Sequence, residues 1–104
     1  MAKVLFEVDV RQRAALYDKL VSQQPLRAAH GEIAFSMHID DNARHIAYVF
    51  LDWESLRSAQ QFLNSAASRV LVADWPIERV LGAIPLKNFA DTYVDDRGRR
   101  LAAN

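Results

Sequence analysis

The 104-residue chain predicts an α+β fold with the element order β-α-β-β-α-β. Three patterns carry that expectation. Period-two alternation of apolar and polar residues opens the chain and returns near residue 32. Apolar stripes at helical spacing follow the first strand pattern and the third. Residues 45–51, HIAYVFL, are apolar on both faces, as a strand covered on two sides must be. In that order the pieces make the ferredoxin-like arrangement, a four-stranded antiparallel sheet with two helices on one face.

In residues 3–10, Val4, Phe6, Val8 and Val10 share one face, and Leu5, Glu7 and Asp9 share the other. A helix opens at or just after Asp9. Its stripe is Leu16, Tyr17, Leu20 and Val21, with Arg13 and Lys19 turned away. Pro25 and Gly31 bracket the next connection. Residues 32–40 read as a strand, with Ile33, Phe35, Met37 and Ile39 on one side and Ala34, Ser36 and His38 on the other. Residues 40–44, DDNAR, supply a hairpin loop, because Asp and Asn tolerate tight turns. In the third strand Ile46, Tyr48 and Phe50 oppose Ala47, Val49, Leu51 and Trp53. Asp52 or Ser55 caps the following helix. Leu56, Ala59, Leu63, Ala66, Ala67 and Val70 form its stripe, with a break expected over residues 65–68 and a shorter helix after it. Pro76 holds Trp75 extended and ends that helix. Residues 78–86 are the last strand, with Val80, Ile84 and Leu86 set against Leu81 and Ala83. The fold domain spans residues 1–90. Residues 91–104 are a polar tail with three readings: a hairpin around residues 95–98, an arm on a partner, or a loose end.

Lys plus Arg and Asp plus Glu balance at 13 each, which argues against a nucleic-acid or membrane binder, since both need a cationic field. The chain has no cysteine, which excludes disulfides, thiol nucleophiles and thiolate metal sites. The opening MAKVLFEVDV lacks the pattern of a signal peptide, and no stretch approaches the roughly 20 apolar residues of a membrane span. A cytoplasmic location is expected.

A lone sheet of this kind shows water a polar face. Here the third and last strands are apolar on both sides. Leaving such side chains exposed forgoes about 1.5–3 kcal/mol each. A second copy presenting the same face is the simplest cover, so a homodimer with sheets packed face to face is expected.

Trp53-Glu54-Ser55, followed by an amphipathic helix to Phe62-Leu63-Asn64-Ser65, resembles the strand-to-helix segment of the dimeric α+β barrel superfamily. That superfamily includes the antibiotic-biosynthesis monooxygenase-type and stress-responsive barrel families. The resemblance covers roughly residues 3 to 90 and implies a dimer of ferredoxin-like units. Haem-degrading relatives carry a ligating His where this chain has Phe62, and an Asn on the first strand, where it has Glu7 and Asp9. The resemblance therefore does not carry haem degradation with it. The superfamily hosts many reactions, so the fold assigns none.

Barrels of this kind hold a pocket between sheet and helices, and His38 is the candidate catalytic base, since an imidazole accepts a phenolic proton near neutral pH. The plainer reading of His38 is a half-exposed strand residue. Glu7 and Asp9 share a face and are a second acid–base candidate, or simply an acidic patch. Tyr48, Trp53, Phe62, Asn64 and Trp75 are candidate lining for a small apolar or aromatic ligand, with Tyr48 or Asn64 offering a hydrogen bond. Core and interface packing is the plainer alternative. His30 and His45 are expected to face solvent. Arg97, Arg99 and Arg100 form a basic cluster in the tail, offset by Asp95 and Asp96. No cofactor or metal is expected. Two functions stand open: a cofactor-independent monooxygenase-like enzyme acting on a small aromatic or polyketide-like molecule, and a non-catalytic ligand-binding or accessory dimer.

Overall fold

The computed structural model describes residues 2–87, 93–94 and 100–101. Its elements are β1 (Ala2–Asp9), α1 (Arg13–Ala28), β2 (Glu32–Ile39), β3 (Ile46–Trp53), α2 (Leu56–Leu63), α3 (Ala66–Ala73), β4 (Arg79–Lys87) and two short strands, β5 (Tyr93–Val94) and β6 (Arg100–Leu101). The main sheet is antiparallel with the order β2-β3-β1-β4, as the element order predicts. Among the described residues, no helix is long and apolar enough to cross a membrane. β5 pairs antiparallel with β6, Tyr93 opposite Leu101; residues 95–98, where the hairpin turn of the tail is expected, lie outside the described residues. Arg97 and Arg99 lie outside the described residues.

β1 is the middle of the fold. Its β-branched and aromatic side chains alternate, so Val4, Phe6 and Val8 all point to the helices and are buried. β3 runs beside it in unbroken register, Ala2 opposite Trp53 and Asp9 opposite Ile46, and buries Ala47, Val49, Leu51 and Trp53 on the same side. The helices close over this face with Leu16 and Leu20 from α1, Ala59 and Phe62 from α2, and Leu71 from α3. Trp53 ends β3 with its ring 4.7 Å from Phe62, so the chain turns from sheet to helix around one aromatic pair.

Both strand edges carry an extra residue that the alternation does not reveal. In β2, Glu32 pairs with Trp53 and Ala34 with Asp52, which leaves Ile33 out of the ladder and 51% exposed. Ile33 therefore does not join Phe35, Met37 and Ile39, and Glu32 takes the inward place. In β4, Gly82 pairs with Glu7 but Val80 pairs with Val8, so Leu81 is the extra residue. Val80 thus sides with Ala83 and Pro85 toward the helices, while Ile84 and Leu86 face away.

The helices depart from expectation in three places. α1 runs through Pro25 to Ala28 rather than ending before it. Its buried face is Leu16, Leu20, Gln23 and Arg27, and Tyr17 and Val21 are about half exposed at 49% and 48%. Proline removes one backbone donor from a helix; side-chain bonds from Gln23 to the Leu71 carbonyl (3.0 Å) and from Arg27 to the Leu20 carbonyl (2.9 Å) secure this part of α1. The second helical region breaks where expected. Ser55 caps α2 in a reciprocal box with Ser58, and Ser65 caps α3 by accepting from the Ser68 N–H. Restarting the helix at Ser65 turns its face, so Ser68 and Leu71 are buried and Val70 is 63% exposed.

This packing separates neighbours in α1. Leu20→Ala is expected to cost about 2–5 kcal/mol in urea unfolding, and Val21→Ala no more than about 0.5 kcal/mol. Equal losses at the two sites would contradict the observed face of α1.

Candidate functional site

Two adjoining hollows lie between the helices and the outer strand β4. One, of about 370 Å³, is lined by Phe6, Leu63, Ser68, Arg69, Val72, Ala73, Val80 and Ala83. The other, of about 650 Å³, is lined by Gln60, Leu63, Asn64, Ala83 and Pro85. They share Leu63 and Ala83 and form one cleft. The Leu81 bulge helps make it, because it turns Val80 inward beside the small side chain of Ala83. The smaller hollow is mainly apolar, with Ser68 and Arg69 as its polar residues, whereas Gln60 and Asn64 make the larger one as polar as it is apolar. The smaller hollow, with apolar walls and a few polar groups, has the usual make-up of a small-molecule site.

The five predicted lining residues divide. Asn64 lines the cleft. Trp75 stands behind it, buried, packing edge-on against the lining residue Phe6 with ring centroids 5.0 Å apart. Its indole N–H donates to Gln23 Oε1 at 2.9 Å. Trp53 and Phe62 are buried in the core on the same side of the sheet. The Trp53–Ala2–Lys87 row is next to the Leu51–Val4–Pro85 row, and Pro85 lines the cleft. The Trp53 indole N–H is buried without a hydrogen-bond partner.

Tyr48 and His38 lie across the sheet from all of these. They are register partners on the face away from the helices. The Tyr48 hydroxyl donates to Asp40 Oδ2 at 2.8 Å. That bond and the Asn42 and Ala43 N–H groups hold the Asp40 carboxyl below its ordinary range, and the same carboxylate holds the Tyr48 phenol up. His38 Nε2 is 3.2 Å from Ser36 Oγ, and its ring stands edge-on to Phe50 at 5.6 Å. His38 is exposed and does not line the cleft. Glu7 shares this outer face, and Asp9 lies 3.8 Å from Arg79. His30 and His45 are exposed, as expected.

Sequence reasoning missed a buried ion pair. Arg27, in the last turn of α1, donates to both oxygens of Glu32, the first residue of β2, and neither side chain is exposed. Arg27 also lies over the Phe35 ring at 5.1 Å. Burial pushes the Glu32 carboxyl up from its ordinary value, against the pull of Arg27. Arg27 Nη1 is a second buried donor without a partner. The available signal was faint: Leu16, Leu20, Gln23 and Arg27 repeat at helical spacing, but two of them are polar. Among the described residues no group of three His, Asp or Glu side chains could hold a metal ion.

No protein-family model matches the chain, and no curated protein is significantly similar to it in sequence. Solved structures do match. A provisionally named antibiotic biosynthesis monooxygenase from Bordetella bronchiseptica superposes with a TM-score of 0.68 at 15% identity, over 84% of this chain and 95% of that one. A Mycobacterium tuberculosis protein gives 0.61 at 17% identity, over 86% and 96%. A Chloroflexus aurantiacus protein, named like the first, gives 0.60 at 15% identity, over 86% and 94%. The chain shares its fold with these structures, two of which are named as antibiotic biosynthesis monooxygenases. This shared fold is the ferredoxin-like arrangement expected from the element order, and at such identities the likeness concerns the fold alone.

The buried carboxyl makes a pH prediction. Its raised value means that the folded chain binds the Glu32 proton more tightly than the unfolded chain does. Stability from this group therefore rises as pH falls from the raised value toward the ordinary 4.5, and levels off below it. Urea unfolding of wild type and Glu32→Gln across that window should show wild type gaining on the variant at lower pH. A constant difference would contradict the assignment.

Proposed function

We propose that the protein is a homodimer that binds a small, flat, largely apolar molecule in the cleft between α2–α3 and β4. We further propose that it acts on that molecule as a cofactor-independent monooxygenase of aromatic or polyketide-like substrates. The cleft itself supports this reading best: Phe6, Leu63, Val72 and Ala83 suit a ring system, and Asn64 and Arg69 suit its oxygen substituents. Once the substrate has lost a proton, its anion is electron-rich enough to react with dioxygen. A methylene then becomes a carbonyl while the second oxygen atom leaves as water, so CH2 + O2 gives C=O + H2O. Arg69 would hold the anion by charge and Asn64 by its amide N–H.

The second reading is a binding or accessory protein without chemistry. One observation favours it: no carboxylate or imidazole is among the side chains lining either hollow. Dioxygen uptake separates the two readings once a ligand is in hand.

The dimer part rests on the outer sheet face. Leu5, Phe50, Ile84 and Leu86 cluster there around the β1–β3 and β1–β4 pairs, and Ile84 and Leu86 remain 50% and 37% exposed. A second copy offering the same face would cover all four, with His38 and Tyr48 in the space between the sheets.

Native mass spectrometry tests the two parts together. The purified protein is expected as a dimer carrying an additional small mass. Ala83→Trp, which fills the junction of the hollows, should lose the mass and keep the dimer. Ile84→Asp should give monomers. A monomeric wild type would overturn the face-to-face arrangement, and an unchanged mass in Ala83→Trp would move the ligand out of the cleft.

A further inference from the structure

We propose that Ser68 is the inner anchor of the cleft and that Ser68 and Arg69 together select its ligand. The ligand class is a small aromatic ring with two oxygen groups. A neutral hydroxyl or carbonyl oxygen meets Ser68 inside, and an anionic group meets Arg69 at the mouth. The inference rests on the cleft reading above and names the kind of molecule that cleft takes.

Ser68 is the one buried serine of the chain, 5% exposed, and it shares the inward face of α3 with Leu71. The hydroxyls of Ser22, Ser36, Ser55, Ser58 and Ser65 each have a hydrogen-bond partner. That of Ser68 has none among the described residues. Only its backbone N–H is engaged, donating to Ser65 Oγ at 3.2 Å. A helical serine ordinarily points to solvent or bonds back to its own helix, and this one does neither. Buried polar groups are rarely left unpaired, and an exception asks for a reason. The Ser68 hydroxyl is also not sealed in the core. The sealed atoms without a partner are Arg27 Nη1 and Trp53 Nε1, whereas Ser68 lines the smaller hollow. Its hydroxyl therefore opens on that space, where the walls include Phe6, Val72 and Ala83 and no other buried polar side chain.

Arg69 is next in sequence, but a helix turns by about 100° per residue, so its side chain leaves in another direction. It lines the same hollow and is exposed. Among the described residues no carboxylate pairs with it, and none lines either hollow. The two groups thus divide the work by depth. A charged oxygen beside Ser68 would sit among apolar side chains with one neutral donor, and a buried charge needs far more than that. A neutral oxygen needs only the one hydrogen bond. At the mouth, a guanidinium suits a carboxylate or phenolate. The hollow of about 370 Å³ has room for such a ring, since a cavity of roughly 150 Å³ already admits benzene.

The probes are 4-hydroxybenzoate, which carries a hydroxyl and a carboxylate at opposite ends of one ring, and benzoate, which lacks the hydroxyl. Affinities are measured by isothermal titration calorimetry at neutral pH. Wild type is expected to bind 4-hydroxybenzoate about tenfold more tightly than benzoate, the effect of one hydrogen bond. Ser68→Ala should bring the two affinities together and leave that for benzoate unchanged. This variant keeps the backbone N–H that Ser65 accepts, so the cap of α3 is retained. Arg69→Gln should weaken both acids alike and keep the preference for the hydroxyl. Equal affinities in wild type would overturn the inference. So would a preference that survives Ser68→Ala, or a Ser68→Ala variant that weakens both acids alike. If Ala83→Trp abolishes binding in any of these cases, the cleft reading stands and only the role of Ser68 falls. Failure of both acids to bind wild type also overturns the inference, and the additional mass in native mass spectrometry then decides the cleft reading separately.

Discussion

The pairing of β1 between β3 and β4 is the constraint on which the rest depends. One strand with unbroken alternation meets two neighbours, and its register decides which side of each neighbour sees the helices. With Val4, Phe6 and Val8 inward, β3 must turn Val49, Leu51 and Trp53 inward too. That places Trp53 where α2 begins and Phe62 where it can pack on the indole. It also brings Ala83 and Pro85 opposite the helices, so the cleft at the β4 edge follows from the same register.

The helical layer is held by two different means. Over β1 and β3 the contacts are apolar, with Leu16, Leu20 and Phe62 fully or almost fully removed from water. Toward the end of α1 the buried positions are Gln23 and Arg27, and hydrogen bonds take over. A buried ion pair is weak evidence for added stability, because desolvation offsets much of its attraction. The Arg27–Glu32 pair acts on position rather than on net stability. It ties the last turn of α1 to the first residue of β2 across a turn in which Gly31 takes φ 109°, a conformation side chains disfavour.

The two faces of the sheet offer different things. The inner face joins the cleft, the aromatic pair and the ion pair, and it is where small-molecule chemistry is proposed. The outer face carries an apolar group beside a polar row of His38, Tyr48 and Glu7, which are consecutive in register. That row is pre-oriented by the bonds of Tyr48 to Asp40 and of His38 to Ser36. An aromatic residue of β3 can thus belong to the core or to the outer surface according to whether its number is odd or even, which is why Tyr48 and Trp53 do not meet.

The sequence by itself determined the element order, the sheet class and the inward face of β1, because period-two alternation is a local property that a strand carries in its own residues, whereas β3, apolar on both sides, had its inward face chosen by pairing with β1. It also determined the helix restart at Ser65, since a capping serine acts within four residues. Asn64, expected as a hydrogen-bonding group, stands at the C-terminal end of α2 beside the larger hollow. Only the tertiary structure decided the rest. The bulges at Ile33 and Leu81 exist because an edge strand must fit a neighbour's ladder; Gly82 hints at the second, but nothing in EIAF announces the first. The Arg27–Glu32 pair joins two elements, and a charged residue reads as surface until its partner is placed beside it. The pair itself was hidden by that ambiguity, and packing alone revealed it.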